Sequence, residues 1–224
     1  MTETPRAPES QTRIGEQLRL RLERERLRAK ALLAVQDLLI LASASPRRRA
    51  LVDELGLTFE VDAADIPEIP RDGEAPEEFV SRAATEKAAH VAERHPGRWV
   101  LGADTVVALG DEILGKPRDR DDARRMLTAL AGTTHRVCTG IALLLGRELP
   151  DVMVVSTEVV FRTIEAAEIE AYIDSGEPFD KAGSYGIQGR GGRFVVSVSG
   201  SYSNVMGLPL IETAELLSHR RPGS

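Results

Sequence analysis

Short apolar runs alternate with helix-patterned segments from residue 38 onward, and this alternation confines the chain to an α/β architecture. Leu38-Leu39-Ile40-Leu41 reads as a strand, and a helix follows at once. Ser45 suits the N-cap of that helix, Pro46 its first position and Gly56 its C-terminal stop. Residues 57–61 read as a second strand, and residues 63–76, rich in Asp, Glu, Pro and Gly, as a loop. Residues 77–94 carry Phe79, Val80, Ala83, Ala84, Ala88 and Val91 at helical spacing. Residues 99–101 and 105–109 read as two strands separated by Gly102-Ala103-Asp104, followed by a tight turn at Asp111-Glu112 and the apolar pair Ile113-Leu114. A helix over 119–131, stopped near Gly132, precedes strands at 137–145 and 152–162 that suit a hairpin. Then come a helix at 165–175, a glycine-rich loop at 183–192, a strand at 194–198 and a closing helix at 210–218. The late hairpin favours a mixed sheet over a purely parallel one.

The folded domain is expected at residues 37–219, between an extension at 1–36 and a tail at 220–224. Residues 1–15 have a disordered composition, and residues 16–35 have helical propensity with mixed charge. The extension holds eight Lys or Arg and five Glu, a net +3, so the remainder of this −6 chain carries −9. An acidic body argues against stable nucleic-acid binding but leaves room for a small anion in a local basic pocket. The basic stretch, the apolar run ALLAVQDLLILA and Ala42-Ser43-Ala44 imitate a signal peptide, but Gln36 and Asp37 interrupt the run. No stretch approaches the ~20 apolar residues of a membrane span, so no membrane partner is expected. Cys138 is the single cysteine, so no internal disulfide exists, which fits a reducing, cytoplasmic setting. The four histidines lack zinc-ligand spacing.

Ser43-Ala44-Ser45-Pro46-Arg47-Arg48-Arg49 places hydroxyls and guanidiniums where a strand turns into a helix. Free N–H groups and the dipole at a helix start attract anions, and arginine forks match phosphate oxygens. On spacing alone, a phosphate site and a capped surface helix weigh equally. Asp104 interrupts residues that otherwise read as buried, so it needs a partner, a metal or a catalytic purpose. Lys87, Lys116 and the loop acid Glu68 matter only if they converge on the arginine turn. The loop around Gln188 is glycine-dense but has neither Walker nor dinucleotide spacing, which argues against a P-loop ATPase or a Rossmann enzyme. The Gln188 amide both donates and accepts, as base recognition requires.

Together these pieces resemble the Maf family. The matching stretches are LASASPRRRALVDELGLTFEV, LGADTVVALGDEILGKPRDRDDARRMLTALAGTTHRVCTG, EAYIDSGEPFDKAGSYGIQG and GSYSNVMGLPLIETAELL, covering most of residues 38–217 in family order. The resemblance implies a two-lobed, inosine-triphosphatase-like α/β fold around an elongated mixed sheet with flanking helices, the nucleotide lying between the lobes. It also implies a nucleoside triphosphate pyrophosphatase that uses a divalent cation, Mg²⁺ or Mn²⁺. By the same resemblance Asp104 is the proton acceptor, and Ser45, Arg47, Arg48, Lys87 and Lys116 surround the phosphates. Carboxylates such as Asp104 and Glu68 are expected to hold the cation. Arg48, Thr105 and Gln188 match the dTTP/UTP branch, whereas the 7-methyl-GTP branch commonly has Glu in the Gln188 loop. Ala44 departs from the Gly of many members, a methyl group that the turn is expected to tolerate. Homodimers are common among relatives. Two alternatives stand beside this reading: house-cleaning of modified nucleotides by the same chemistry, and a cell-division regulator that binds through the basic extension.

Overall fold

The computed structural model describes residues 23–24, which are helical, and residues 39–219. The expectations for residues 1–15, for the rest of the 16–35 helix, for Leu38 and for the 220–224 tail lie outside the described residues. Among the described residues, seven strands form one sheet: β1 (Leu39–Leu41), β2 (Phe59–Val61), β3 (Trp99–Leu109), β4 (Glu112–Leu114), β5 (Thr134–Leu145), β6 (Asp151–Phe161) and β7 (Val195–Ser199). Their order is β2-β1-β3-β5-β6-β7, with β4 beside β3. The pairs β1–β2 and β1–β3 are parallel and all others antiparallel, which is the mixed sheet that the late hairpin favoured. The helices are α1 (Pro46–Glu54), α2 (Pro76–Ala92), α3 (Arg120–Leu130), α4 (Ala166–Ile173), α5 (Tyr202–Met206) and α6 (Leu210–His219).

The structure corrects the sequence reading around Asp104. Residues 99–109 are one continuous strand, not two, because β5 pairs with β3 residue by residue from Trp99 to Ala108. Gly and Asp are poor strand formers alone, but a full ladder overrides that preference. The short helix α5 and the 3₁₀ turns at Glu177–Asp180, Ala182–Ser184 and Arg190–Phe194 also lay beyond the periodicity argument. Each is too short to show a helical repeat.

The opposite edge of β3 explains the cleft. β1 pairs with it at Val100 and Leu101, and β4 pairs with it from Val107 to Leu109. Between these two partners the edge forks, and Asp104 lies in the fork. One core packs under α1 and α6 around Leu39, Leu51, Leu101 and Leu217. A second packs under α3 and α4 around Val107, Met126, Tyr172 and Phe194. These are the two lobes, and the fork separates them. Helix α2 covers the other sheet face through Phe79, Val80, Ala84 and Ala88. It approaches closely because Gly102 and Gly140 lie beneath it. A Cβ at Gly102 would sit 2.2 Å from the Ala84 carbonyl oxygen, and one at Gly140 2.2 Å from that of Val80. Each fully buried leucine in these cores contributes about 1.5–3 kcal/mol.

His135 on β5 is a pH-dependent part of this frame. Only 1% of it is exposed, its Nε2 lies 2.9 Å from the Tyr185 hydroxyl, and its ring packs edge-on to Phe161. Burial depresses its pKa to about 4. The unfolded chain therefore binds a proton near pH 6.5 that the native state refuses until about pH 4, so stability falls as pH drops across that window. The expected loss is about 3 kcal/mol. Asp62, Glu74 and Glu168, each held at about 2 by arginine partners, lose their contributions as pH falls from their ordinary values of 3.8 to 4.5 toward 2, so the drop between pH 7 and 5 isolates the histidine. Urea midpoints at pH 7, 5 and 4 check the prediction. A His135→Gln variant should show a flatter profile than the parent, and equal profiles would remove the histidine as the cause.

Candidate active site

Helix α1 begins at the lip of the fork. Ser45 caps it by accepting a hydrogen bond from the Arg48 backbone N–H at 3.4 Å, and Pro46 occupies its first turn. That turn holds no acid, whereas α2 starts with Glu77 and Glu78 and α3 with Asp121 and Asp122. Three arginines instead stand at the positive end of the α1 dipole. This arrangement is unfavourable in isolation and is relieved by an anion.

Arg48 braces this turn against the rest of the site. Its Nε donates to the Gly207 carbonyl at 2.8 Å, Nη1 to Ser43 Oγ at 3.2 Å and Nη2 to Thr105 Oγ1 at 2.9 Å. These bonds take three of its five N–H groups and leave two. Thr105 Oγ1 also lies 2.9 Å from Thr139 Oγ1. Arg47 reaches across the cleft to Asp180, 3.6 Å away, and Asp180 also pairs with Lys181 Nζ at 2.5 Å.

The charged centre lies in the fork. Asp104 is 3% exposed and faces α2, since it shares a strand face with Gly102 and Val106. The close approach of α2 delivers Lys87, itself 4% exposed, whose Nζ donates to Asp104 Oδ1 at 2.5 Å. The same ammonium lies 2.6 Å from Glu68 Oε1. Glu68 belongs to the acidic loop, which is tied down by Arg82. That guanidinium pairs with Glu74 at 2.7 Å and donates to the Ile69 carbonyl at 3.1 Å.

The two acids are pushed in opposite directions. Burial raises the Asp104 carboxyl above its ordinary range; Lys87 and Arg48 counter that, and Glu68 adds to it. Burial also opposes ionisation of Glu68, but the charges of Lys87, Lys116 and Arg48 prevail and hold its carboxyl below the usual range. Such a split assigns different work to the two groups: the more basic acid can accept a proton, and the other stays anionic.

All nine residues singled out from the sequence line one cavity of about 660 Å³: Ser45, Arg47, Arg48, Glu68, Lys87, Asp104, Thr105, Lys116 and Gln188. Lys116 and Gln188 are exposed at its rim. Apolar residues Val137, Tyr185, Ile187, Val205 and Met206 complete part of the wall. The sequence reading assigned no role to Asp180, Lys181, Thr139 or Gly207. The first two were visible as charges beside the glycine loop, but the last two participate only through tertiary contacts. Among the described residues no group of three His, Cys, Asp or Glu side chains gathers around a single point, and no helix is long and apolar enough to cross a membrane.

Comparison with known proteins places this geometry in context. The pattern of the Maf-like protein family matches residues 38–220. A dTTP/UTP pyrophosphatase of Myxococcus xanthus is 59% identical over 184 residues, spanning 82% of this chain and 93% of that protein. A dTTP/UTP pyrophosphatase of Salmonella typhimurium is 53% identical over 81% of this chain and 92% of its own length. One of Desulfotalea psychrophila is 51% identical over 80% and 92%.

Proposed function

The chain belongs to the Maf-like protein family, and on that premise we propose that it hydrolyses dTTP and UTP to the nucleoside monophosphate and pyrophosphate, removing excess or non-standard nucleotides. One observation supports this reading above the others. An acid whose pKa burial raises, an acid held low by neighbouring cations and a cluster of positive side chains share one cleft with the Gln188 amide. The triphosphate carries several negative charges, and the α1 start, Arg47, Lys116 and the free N–H groups of Arg48 meet them electrostatically. Ser45 holds the α1 start in shape.

Asp104 accepts the proton of the attacking water as the bond between the α and β phosphates breaks and pyrophosphate leaves. Lys87 keeps Asp104 and Glu68 together despite their like charge. Asp104 and Glu68 would hold a divalent cation through carboxylate oxygens, the donor type that Mg²⁺ and Mn²⁺ favour. When bound there, Mg²⁺ or Mn²⁺ supplies charge neutralisation on the phosphates. Gln188 at the rim offers one donor and one acceptor to the O4 and N3 edge of uracil or thymine. Thr105, fixed by Arg48, lies beside the proton acceptor. The lone buried Cys138 fits a cytoplasmic location.

The test is a comparison of dTTP, UTP, CTP and 7-methyl-GTP as substrates of the purified chain with Mg²⁺ or Mn²⁺ present. Faster turnover of dTTP and UTP is the expected result. Preference for 7-methyl-GTP would overturn the assignment of the base.

A further inference from the structure

Gln188 lies between the 3₁₀ turns at Ala182–Ser184 and Arg190–Phe194, in a loop that follows a defined course around buried Tyr172 and half-buried Glu177. Tyr172 on α4 is fully buried, and its hydroxyl accepts from the Gly186 N–H at 3.2 Å while donating to Glu177 Oε1 at 2.9 Å. Glu177 Oε2 accepts from the Arg190 N–H at 2.9 Å, and Oε1 from the Gly191 N–H at 3.3 Å. Backbone anchors therefore stand two residues before Gln188 and two and three residues after it. The glycines record how tightly the loop is pressed on this support. A Cβ at Gly189 would lie 2.2 Å from Glu177 Oε1, and one at Gly191 2.7 Å from the Tyr172 hydroxyl. The Lys181 ammonium donates to the Glu177 backbone carbonyl at 2.7 Å, which joins the support to the cleft edge.

Glu177 does not line the cavity, whereas Gln188 does. Gln188 is exposed, and among the described residues its side chain makes no hydrogen bond, so its direction follows from the backbone beneath it. We propose that Glu177 is a positioning residue that shapes the 183–192 loop and through it sets the base selectivity exerted by Gln188. This inference rests on the base-reading role proposed above for Gln188. A carboxylate suits the task because it is an acceptor at both oxygens and so gathers three donors at once. A glutamine there still accepts through one oxygen but turns an NH₂ group toward the Arg190 N–H. Two donors then face each other and the loop must shift.

The test measures the ratio of kcat/KM for UTP to that for CTP in the parent, in Glu177→Gln, in Gln188→Ala and in the double variant. It also measures amide hydrogen exchange across the loop and across β5. Glu177→Gln should lower the ratio about tenfold, and in the double variant the ratio should fall no further than in Gln188→Ala alone. Exchange should quicken at Gly186, Arg190 and Gly191 while the β5 amides stay protected. Tyr172→Phe, which removes the shared hydroxyl but keeps the ring, should move both readouts in the same direction. An unchanged ratio in Glu177→Gln, or effects that multiply in the double variant, would overturn the proposal. If the parent shows no preference for UTP over CTP, the role given to Gln188 falls. The exchange data then decide the part of Glu177: unchanged loop exchange rejects it as the support, and faster exchange confined to the loop upholds it.

Discussion

An Asp104→Asn variant should fold as the parent does and turn over UTP about 10²–10⁴-fold more slowly, the range associated with loss of a positioned general base. The substitution keeps the shape of the side chain and leaves an oxygen for the Lys87 ammonium, now 2.5 Å from Oδ1. It removes the one group in the fork whose basicity burial has raised. It also removes a desolvated charge from the interior while Lys87 keeps Glu68 as its ion partner at 2.6 Å, so stability is expected to change little. Steady-state rates with UTP and a thermal melt together check the prediction. Near-normal hydrolysis would take Asp104 out of the mechanism, and a collapsed melt would make it a structural acid.

Replacing Lys87 with Met should reduce both turnover and stability. The ammonium is the common partner of Asp104 and Glu68, and its side chain and that of Asp104 are almost fully buried, at 5% and 4% exposed. Breaking a buried pair leaves an uncompensated charge and costs about 3–5 kcal/mol. Without Lys87 the Asp104 carboxyl loses its principal cationic counterweight and rises further above its unfolded value. A group with a raised native pKa stabilises the fold below its unfolded pKa, and that stabilisation is lost as pH rises through the native value. The Lys87→Met deficit should therefore shrink as pH falls from 7 toward 5 and widen as it rises. Urea unfolding at both pH values reads this directly. The double variant Lys87→Met, Asp104→Asn removes the stranded charge and should recover much of the stability while remaining inactive. A deficit independent of pH, or one that the double variant deepens, would count against the electrostatic account.

The motifs proposed to meet the phosphates were legible because each is local. Ser45 and Pro46 start α1 within a few residues, and the arginines follow in the same turn. Lys116 comes two residues after the end of β4. Asp104 was visible as a polar interruption, but its setting was misread as a gap between two strands. The ladder to β5 that makes β3 continuous is a pairing of residues about 35 apart in sequence, which neither propensity nor periodicity reports. For the same reason the fork between β1 and β4 could not be foreseen, although it is what opens the cavity. Glu177 had no feature in the sequence to single it out. Its three hydrogen bonds come from Tyr172, Arg190 and Gly191, and they exist only once the loop has wrapped around it. Gly102 carried no chemistry in the sequence, yet its missing Cβ lets α2 bring Lys87 to Asp104.

The products of UTP hydrolysis test the proposed triphosphate cleft most directly. Incubation of the purified chain with UTP and Mg²⁺, followed by separation of nucleotides and phosphates, should give UMP and pyrophosphate in equal amounts. Formation of UDP and orthophosphate would contradict the proposed cleavage between the α and β phosphates, and so would a failure to consume UTP with either Mg²⁺ or Mn²⁺ present.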